Sequence, residues 1–167
     1  MKTLYCAFNA TKQSFINLGV TVADTPFARL RGLLGKARMR CNEALWVIPS
    51  HGVHTIGLRF PIDVLYLDAQ QRVVDLIECL APRRIPALRW NCASVLELPA
   101  HSIFCSGTEA GDQLVIGSPE DLKHYWDAER IHSDLKESGS YQDERVVAID
   151  AQKGLPPWPS GADPESL

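Results

Sequence analysis

The chain has 167 residues, 46% of them hydrophobic and 22% charged, an ordinary globular composition. That length suits one domain, or one domain plus a tail, and a chain of this size buries roughly two-thirds of its unfolded surface. The net charge of −3 divides into +3 over residues 1–117 (12 Lys/Arg against 9 Asp/Glu) and −6 over residues 118–167 (5 against 11), and neither block has the concentrated charge that by itself implies nucleic-acid or membrane-surface binding.

Residues 3–8 and 14–22 read as two β-strands around an Asn9–Lys12 turn. Thr25-Pro26 then opens a short helix, with Thr25 as N-cap and Pro26 at the first helical position. Phe27, Leu30, Leu33, Leu34 and Ala37 recur at helical spacing, and Gly35 is the expected stop. Arg29, Arg31, Lys36 and Arg38 lie largely off that stripe. They suit a solvated helix face better than an anion-binding helix start.

Glu43–Ile48 is a strand ended by Pro49. Residues 50–57 are a loop or a strand lining a concave face. Ile62–Leu67 and Arg72–Leu80 make a hairpin about the turn Asp68–Gln71. The Pro-rich residues 82–90, with Arg83, Arg84, Arg89 and Trp90, form a long loop of the kind that lines a site. Cys92–Leu98 is a further strand, whose alternation groups Cys92, Ser94, Leu96 and Leu98 on one face and Ala93, Val95 and Glu97 on the other. A short turn or helix follows over 100–106, then a turn at 109–112 and a last strand at 113–116. Ser118-Pro119-Glu120-Asp121 starts a helix that should run to about Ser138. Beyond Gly139 the chain reads as largely disordered, with the run 146–149 able to dock locally. The expected architecture is mainly β: a small β-sandwich or barrel over residues 1–117, with one short N-terminal helix, then an acidic C-terminal helix and tail over 118–167.

The five cysteines are odd in number, widely spaced and without a CxxC pair. Reduced thiols in a cytoplasmic protein fit better than a disulfide framework or a zinc knuckle. The N-terminus lacks the apolar core of a secretory signal, and no run approaches the ~18 apolar residues of a membrane helix.

The chemistry gathers in His51–Asp68, HGVHTIGLRFPIDVLYLD. In a strand, His51 and His54 would point to opposite faces and could not chelate together; in a turn they could, but no third ligand sits at a standard spacing. No metal or other cofactor is expected. Asp63 lies inside an apolar run, where a carboxylate needs a partner. It is either tied to Arg59, Arg31 or loop N–H groups as a structural clasp, or belongs to a polar patch for a ligand. Trp90 either forms an aromatic and basic rim with its arginines or plugs one end of the fold. The candidate ligand-binding residues are therefore His54, Thr55, Arg59, Asp63 and Trp90. No catalytic residue is assigned, because no nucleophile elbow or flanked cysteine is present.

RLRGLLG at 29–35, HTIGLRFPIDVLYLD at 54–68, VLELPA at 95–100 and GDQLVIG at 111–117 occur in that order. Over residues 20–117 this resembles the domain of unknown function 192 family. The resemblance implies a small β-sandwich with a short helix and brings no established activity. The sequence departs from the family pattern at Leu58, where Met is usual, a tolerated apolar swap. It departs again at His101, where LELPA is followed by Gly, which argues against a close backbone approach there.

The reading that results is a small binding or accessory domain with an unknown protein or small-molecule ligand and no nucleic-acid or membrane partner. The alternative is an enzyme acting on a small polar substrate in a pocket centred on His54, Arg59 and Asp63. The oligomeric state is not specified by the sequence.

Overall fold

The most apolar run in the chain becomes a wholly buried strand, and the other strands are arranged around it. In the computed structural model, which describes residues 5–25, 28 and 32–137 (only the backbone over 131–137), seven strands are found: β1 (Tyr5–Asn9), β2 (Ser14–Ala23), β3 (Ala44–Val47), β4 (Ile62–Leu67), β5 (Val73–Leu80), β6 (Ser94–Pro99) and β7 (Leu114–Gly117). Two helices accompany them among the described residues, α1 (Ser102–Ser106) and α2 (Pro119–Glu137). The expected tail, with its 146–149 run, lies outside the described residues. So do residues 26, 27 and 29–31 of the expected early helix. Of that helix Ala28 is the one described helical residue, and its N–H donates to the Thr25 hydroxyl at 3.1 Å, as an N-cap requires. The expected continuation over Leu33, Leu34 and Ala37, with its stop at Gly35, is not helical: residues 32–35 are turn, and Gly32 already takes φ +43°, which ends a helix three residues earlier. No helix among the described residues is long and apolar enough to cross a membrane.

The strands form one sheet in the order β5-β4-β6-β3-β2-β1-β7. Every pairing is antiparallel except β2 with β3. The sheet curls until its two ends meet near the β4–β5 turn. Arg72 bridges Gln113, the Val73 amide donates to the Asp112 carbonyl at 2.9 Å, and the Leu114 amide donates to the Gln71 carbonyl at 3.1 Å. The buried Gln71 side chain adds an acceptor for the Ile116 amide at 2.8 Å. Of the two all-β architectures expected, the chain takes the barrel-like one, closed at one end.

Both faces of the central strands are covered, which is why β4 reads as a continuous apolar run rather than an alternating one. The inner face carries Val20, Trp46, Leu65, Leu67, Leu96, Leu98, Leu114 and Ile116. Trp46 spends its indole N–H on the Ser94 hydroxyl at 3.0 Å, so its burial leaves no donor unpaired. The outer face of β3, β4 and β6 packs Leu45, Val47, Ile62, Val64, Tyr66 and Val95 beneath Leu33, Leu58 and Cys92. Cys92 thus joins Val95 rather than Ser94, contrary to the alternation read from the sequence. It precedes β6 in a turn, where strand alternation does not apply. At the far end, Leu122 of α2 packs with Cys6, Phe8 and Val115, and Trp126 meets the rings of Phe8 and Phe15 edge-on. The start of α2 is a reciprocal cap: the Asp121 amide donates to the Ser118 hydroxyl, and the Ser118 amide donates to the Asp121 carboxylate.

Glu97 breaks the outer apolar face. It lies opposite Leu45 of β3 and Val64 of β4, both in that cluster, and burial pushes its carboxyl up to about 7. The folded protein therefore holds this proton to higher pH than the unfolded chain does. Burial of the ionised group is costless below about pH 4 and costs progressively more as pH rises to 7. The full cost is on the order of 3 kcal/mol. Glu97→Gln is expected to stabilise the protein at pH 8 and to leave it little changed at pH 4. Urea denaturation of both forms at the two pH values checks this; an equal effect at both would remove Glu97 as the source.

Candidate functional site

The stretch 51–60 is a loop in the fold, not a strand. The expectation that strand geometry splits His51 from His54 therefore does not apply; the loop separates them by other means. His51 is half-buried and turns its ring Nδ1 to the Cys92 carbonyl at 2.5 Å, while His54 is exposed. Among the described residues no group of three His, Cys, Asp or Glu side chains is arranged to hold a metal ion.

Thr55 is the fastener of this loop. It is fully buried, its hydroxyl donates to the Ala81 carbonyl at 2.7 Å, and it accepts from the Arg84 amide at 2.9 Å. Its backbone amide donates to the Arg84 carbonyl, and its carbonyl accepts from the Arg83 amide, both at 2.9 Å. A second fastening joins the His51 carbonyl to the Arg89 amide at 2.8 Å. Beside it the backbone of Gly52 runs so close to Leu88 that a Cβ there would sit 2.5 Å from a Leu88 methyl. The loops 50–60 and 81–92 are thereby zipped into one paired surface.

That surface has a distinct chemistry. Neither loop contains an acidic residue. Trp90 is 77% exposed and Ile85 71% exposed, and Ile56 and Leu88 are also largely in solvent. His54, Arg59, Arg83 and Arg84 are exposed or partly exposed, and no ion pair among the described residues engages these arginines. Trp90 is not a plug in the core; its ring stands 5.6 Å from that of His51 on the rim. Arg89 differs from its neighbours. Its Nε pairs with Asp75 at 2.7 Å, its guanidinium lies 4.6 Å above the Tyr66 ring, and a further N–H is spent on the Ala87 carbonyl. It fastens the loop to the outer face of the sheet. Below it, the hydroxyl of buried Tyr66 has no hydrogen-bond partner among the described residues, and burial raises its ionisation above the ordinary range.

Asp63 belongs to a different part of the molecule. It is fully buried in β4, where one oxygen accepts from the Cys79 amide at 2.8 Å and the other from the Ile103 amide at 2.9 Å. Backbone N–H groups hold it, as one of the expected alternatives had it, but they belong to strand β5 and helix α1 rather than to a loop. Arg59 is exposed on the 51–60 loop, and Arg31 is outside the described residues. Among the described residues no hydrogen bond or ion pair joins Asp63 to His54 or Arg59, and its two oxygens are taken by backbone amides.

The Asp63 clasp shapes two unusual turns. Cys79 adopts φ +50° in the β5 irregularity beside it, and His101 adopts φ +72° at the residue capping α1. The residue that replaces the glycine of the LELPAG pattern thus keeps a glycine-like conformation. The two side chains touch: Cys79 Sγ lies 3.6 Å from His101 Nδ1 and 4.0 Å from Nε2, and the thiol is exposed. This contact was invisible in the sequence, where 22 residues separate the pair; the odd residue at position 101 was the one available signal.

A family model for domain of unknown function 192, described as an uncharacterised ACR, matches residues 7–116. A UPF0127 protein of Thermococcus sibiricus is 31% identical over 112 residues, which cover 64% of this chain and 71% of that protein. A UPF0127 protein of Pyrococcus furiosus is 31% identical over 111 residues, covering 64% of this chain and 93% of the relative. Among solved structures, a candidate transcription regulator from Sinorhizobium meliloti superposes with a TM-score of 0.58 at 22% identity, covering 68% of this chain and 95% of that one. A protein of unknown function from Novosphingobium aromaticivorans gives 0.56 at 15% identity, covering 66% and 81%. At these identities the structural likeness speaks to the fold.

Removing the Asp63 carboxylate strands the buried Ile103 amide, leaves the partly buried Cys79 amide without its acceptor, and frees the turns at 79 and 101. Asp63→Ala should cost roughly 3 kcal/mol or more of stability, as expected for breaking a buried charge-assisted pair of hydrogen bonds. A urea midpoint close to that of the parent protein would show that the clasp is dispensable.

Proposed function

Because the chain belongs to the domain of unknown function 192 family, whose description assigns no reaction, we propose from its own surface that it is a binding module whose recognition face is the zipped loop pair 50–60 and 81–92. The observation that carries this reading is the coincidence, on one fastened surface, of exposed Trp90, Ile85, Leu88 and Ile56 with Arg59, Arg83 and Arg84 and no acid. Aromatic and arginine side chains are the groups that contribute most at contact sites. Exposed apolar residues grouped in this way mark interaction surfaces.

The partner fitted by this chemistry is an acidic protein segment with apolar side chains. Its carboxylates would meet the arginines and His54, and its apolar groups would lie on Trp90 and Ile85. Thr55 and Asp63 have supporting roles in this reading: Thr55 fixes the loops to each other, and Asp63 anchors the strand into which the first loop leads. The fastening matters for affinity, since loops already held in place lose little freedom on binding. Nucleic acid is the weaker fit, because the body carries only +3. Five unpaired cysteines suit a reducing compartment, and we place the protein in the cytoplasm on that ground.

Calorimetric titration with a synthetic peptide of alternating Glu and Leu/Phe tests the reading. Controls are the same peptide with Gly in place of the apolar residues, and oligo(dT). The apolar-acidic peptide should bind saturably and more tightly than both. Trp90→Ala should weaken it about tenfold, the loss typical of an aromatic anchor. Failure of that peptide to saturate, or tighter binding of oligo(dT), would overturn the proposal.

A further inference from the structure

The Cys79–His101 contact lies on the edge strand β5, two residues before Ala81 of the fastened loop, and neither side chain is part of the recognition face. Three observations bear on it. The thiol is exposed, while Cys6 and Cys92 are buried. An imidazole nitrogen stands within hydrogen-bond reach of its sulfur. Both residues are held from beneath by one carboxylate, since Asp63 accepts from the Cys79 amide and, through the Ile103 amide, fixes the turn that carries His101. Two non-glycine residues with positive φ are brought together by this single anchor. Chance contacts between surface side chains do not have their backbones fixed in this way.

We propose that Cys79 is a reactive thiol, with His101 as its positioned base, and that its substrates are small hydroperoxides that oxidise it to a sulfenic acid. The Cys79 S–H proton passes to Nδ1 of His101, the nearer of the two ring nitrogens at 3.6 Å against 4.0 Å. The thiolate then attacks the terminal peroxide oxygen, forming the S–O bond as the O–O bond breaks. The departing oxygen takes up the proton from His101 and leaves as an alcohol, or as water when the oxidant is hydrogen peroxide. Sulfur is oxidised by two electrons and the peroxide is reduced by two. The thiolate is the competent nucleophile in such chemistry, and a neighbouring base that receives its proton is the usual means of supplying it. The exposed position at a sheet edge admits a small oxidant directly. Cys41 and Cys105 are also exposed and, among the described residues, neither has a histidine in hydrogen-bonding contact, so the same molecule contains its own controls.

Limited treatment of the reduced protein with hydrogen peroxide in the presence of dimedone, followed by peptide mass mapping, reads each cysteine separately. Dimedone should accumulate on Cys79 at least about tenfold faster than on Cys41 or Cys105, a threshold set below the roughly hundredfold or more that a well-positioned base contributes. His101→Gly keeps the backbone conformation that glycine prefers and removes only the imidazole. It should bring Cys79 down to the rate of the other two while the urea midpoint stays unchanged or rises. Equal labelling of the three exposed cysteines in the parent protein would overturn the proposal. So would undiminished Cys79 labelling in His101→Gly.

Discussion

A carboxylate inside the barrel sets the geometry at the open end of the sheet. Asp63 sits in the strand that is buried on both faces, and a carboxyl group there is tolerated only when its oxygens are spoken for. They are taken by two backbone amides that regular structure leaves free: one at the β5 irregularity and one at the first turn of α1. An irregular strand end and a short helix beside it therefore follow from a single buried residue. The amide of Ile103 is one of the unpaired donors at a helix start, and the helix's own capping residue, His101, offers no side-chain acceptor for it. The carboxylate supplies the cap across the fold.

The recognition face depends on a different solution to the same problem. A 20-residue segment crosses from β2 to its parallel neighbour β3, and the residues between β3 and β4 add a second excursion. The described parts of both reach the outer face, where Leu33 and Leu58 join the cluster of Tyr66 and Val64. Their backbones need hydrogen-bond partners that no strand provides. Thr55 answers for the second excursion by pairing with the loop 81–92. The loops become orderly because the outer apolar layer must be roofed, and the roof leaves Trp90 and the arginines on its upper side.

Much of the fold was legible because its signals are local. The β4–β5 hairpin follows from an apolar run, a turn headed by Asp68 and a returning strand, and Asp68 does accept the Gln70 and Arg72 amides. The cap at Ser118 and the cap at Thr25 are four-residue patterns and were read as such. The site was less legible, because its content is relational. His54, Arg59 and Asp63 are near in sequence, yet Pro61 and the start of β4 turn the last of them inward while the loop keeps the others in solvent. Cys79 and His101 are far apart in sequence and meet only because an amide at each turn reaches the same carboxylate. Cys92 was misplaced by extending strand periodicity two residues into a turn. His101 stands where the family pattern has glycine, but sequence alone does not say that the replacement keeps the glycine conformation.

The pairing of β1 with β7 has a consequence for how the chain is made. Cys6, Ala7, Phe8 and Asn9 are hydrogen-bonded neighbours of Gly117, Ile116, Val115 and Leu114. On the ribosome, the first hairpin emerges long before the strand that borders it, so it must wait with an unpaired edge while the 90 residues from 24 to 113 follow. Buried Asn9 cannot find Thr108 and Asp112 any earlier. Non-local pairing of this kind delays closure and leaves apolar strand edges open to other chains in the meantime. The interval between synthesis of β1 and release of β7 is then the period in which a nascent chain of this protein is most dependent on a chaperone's shelter.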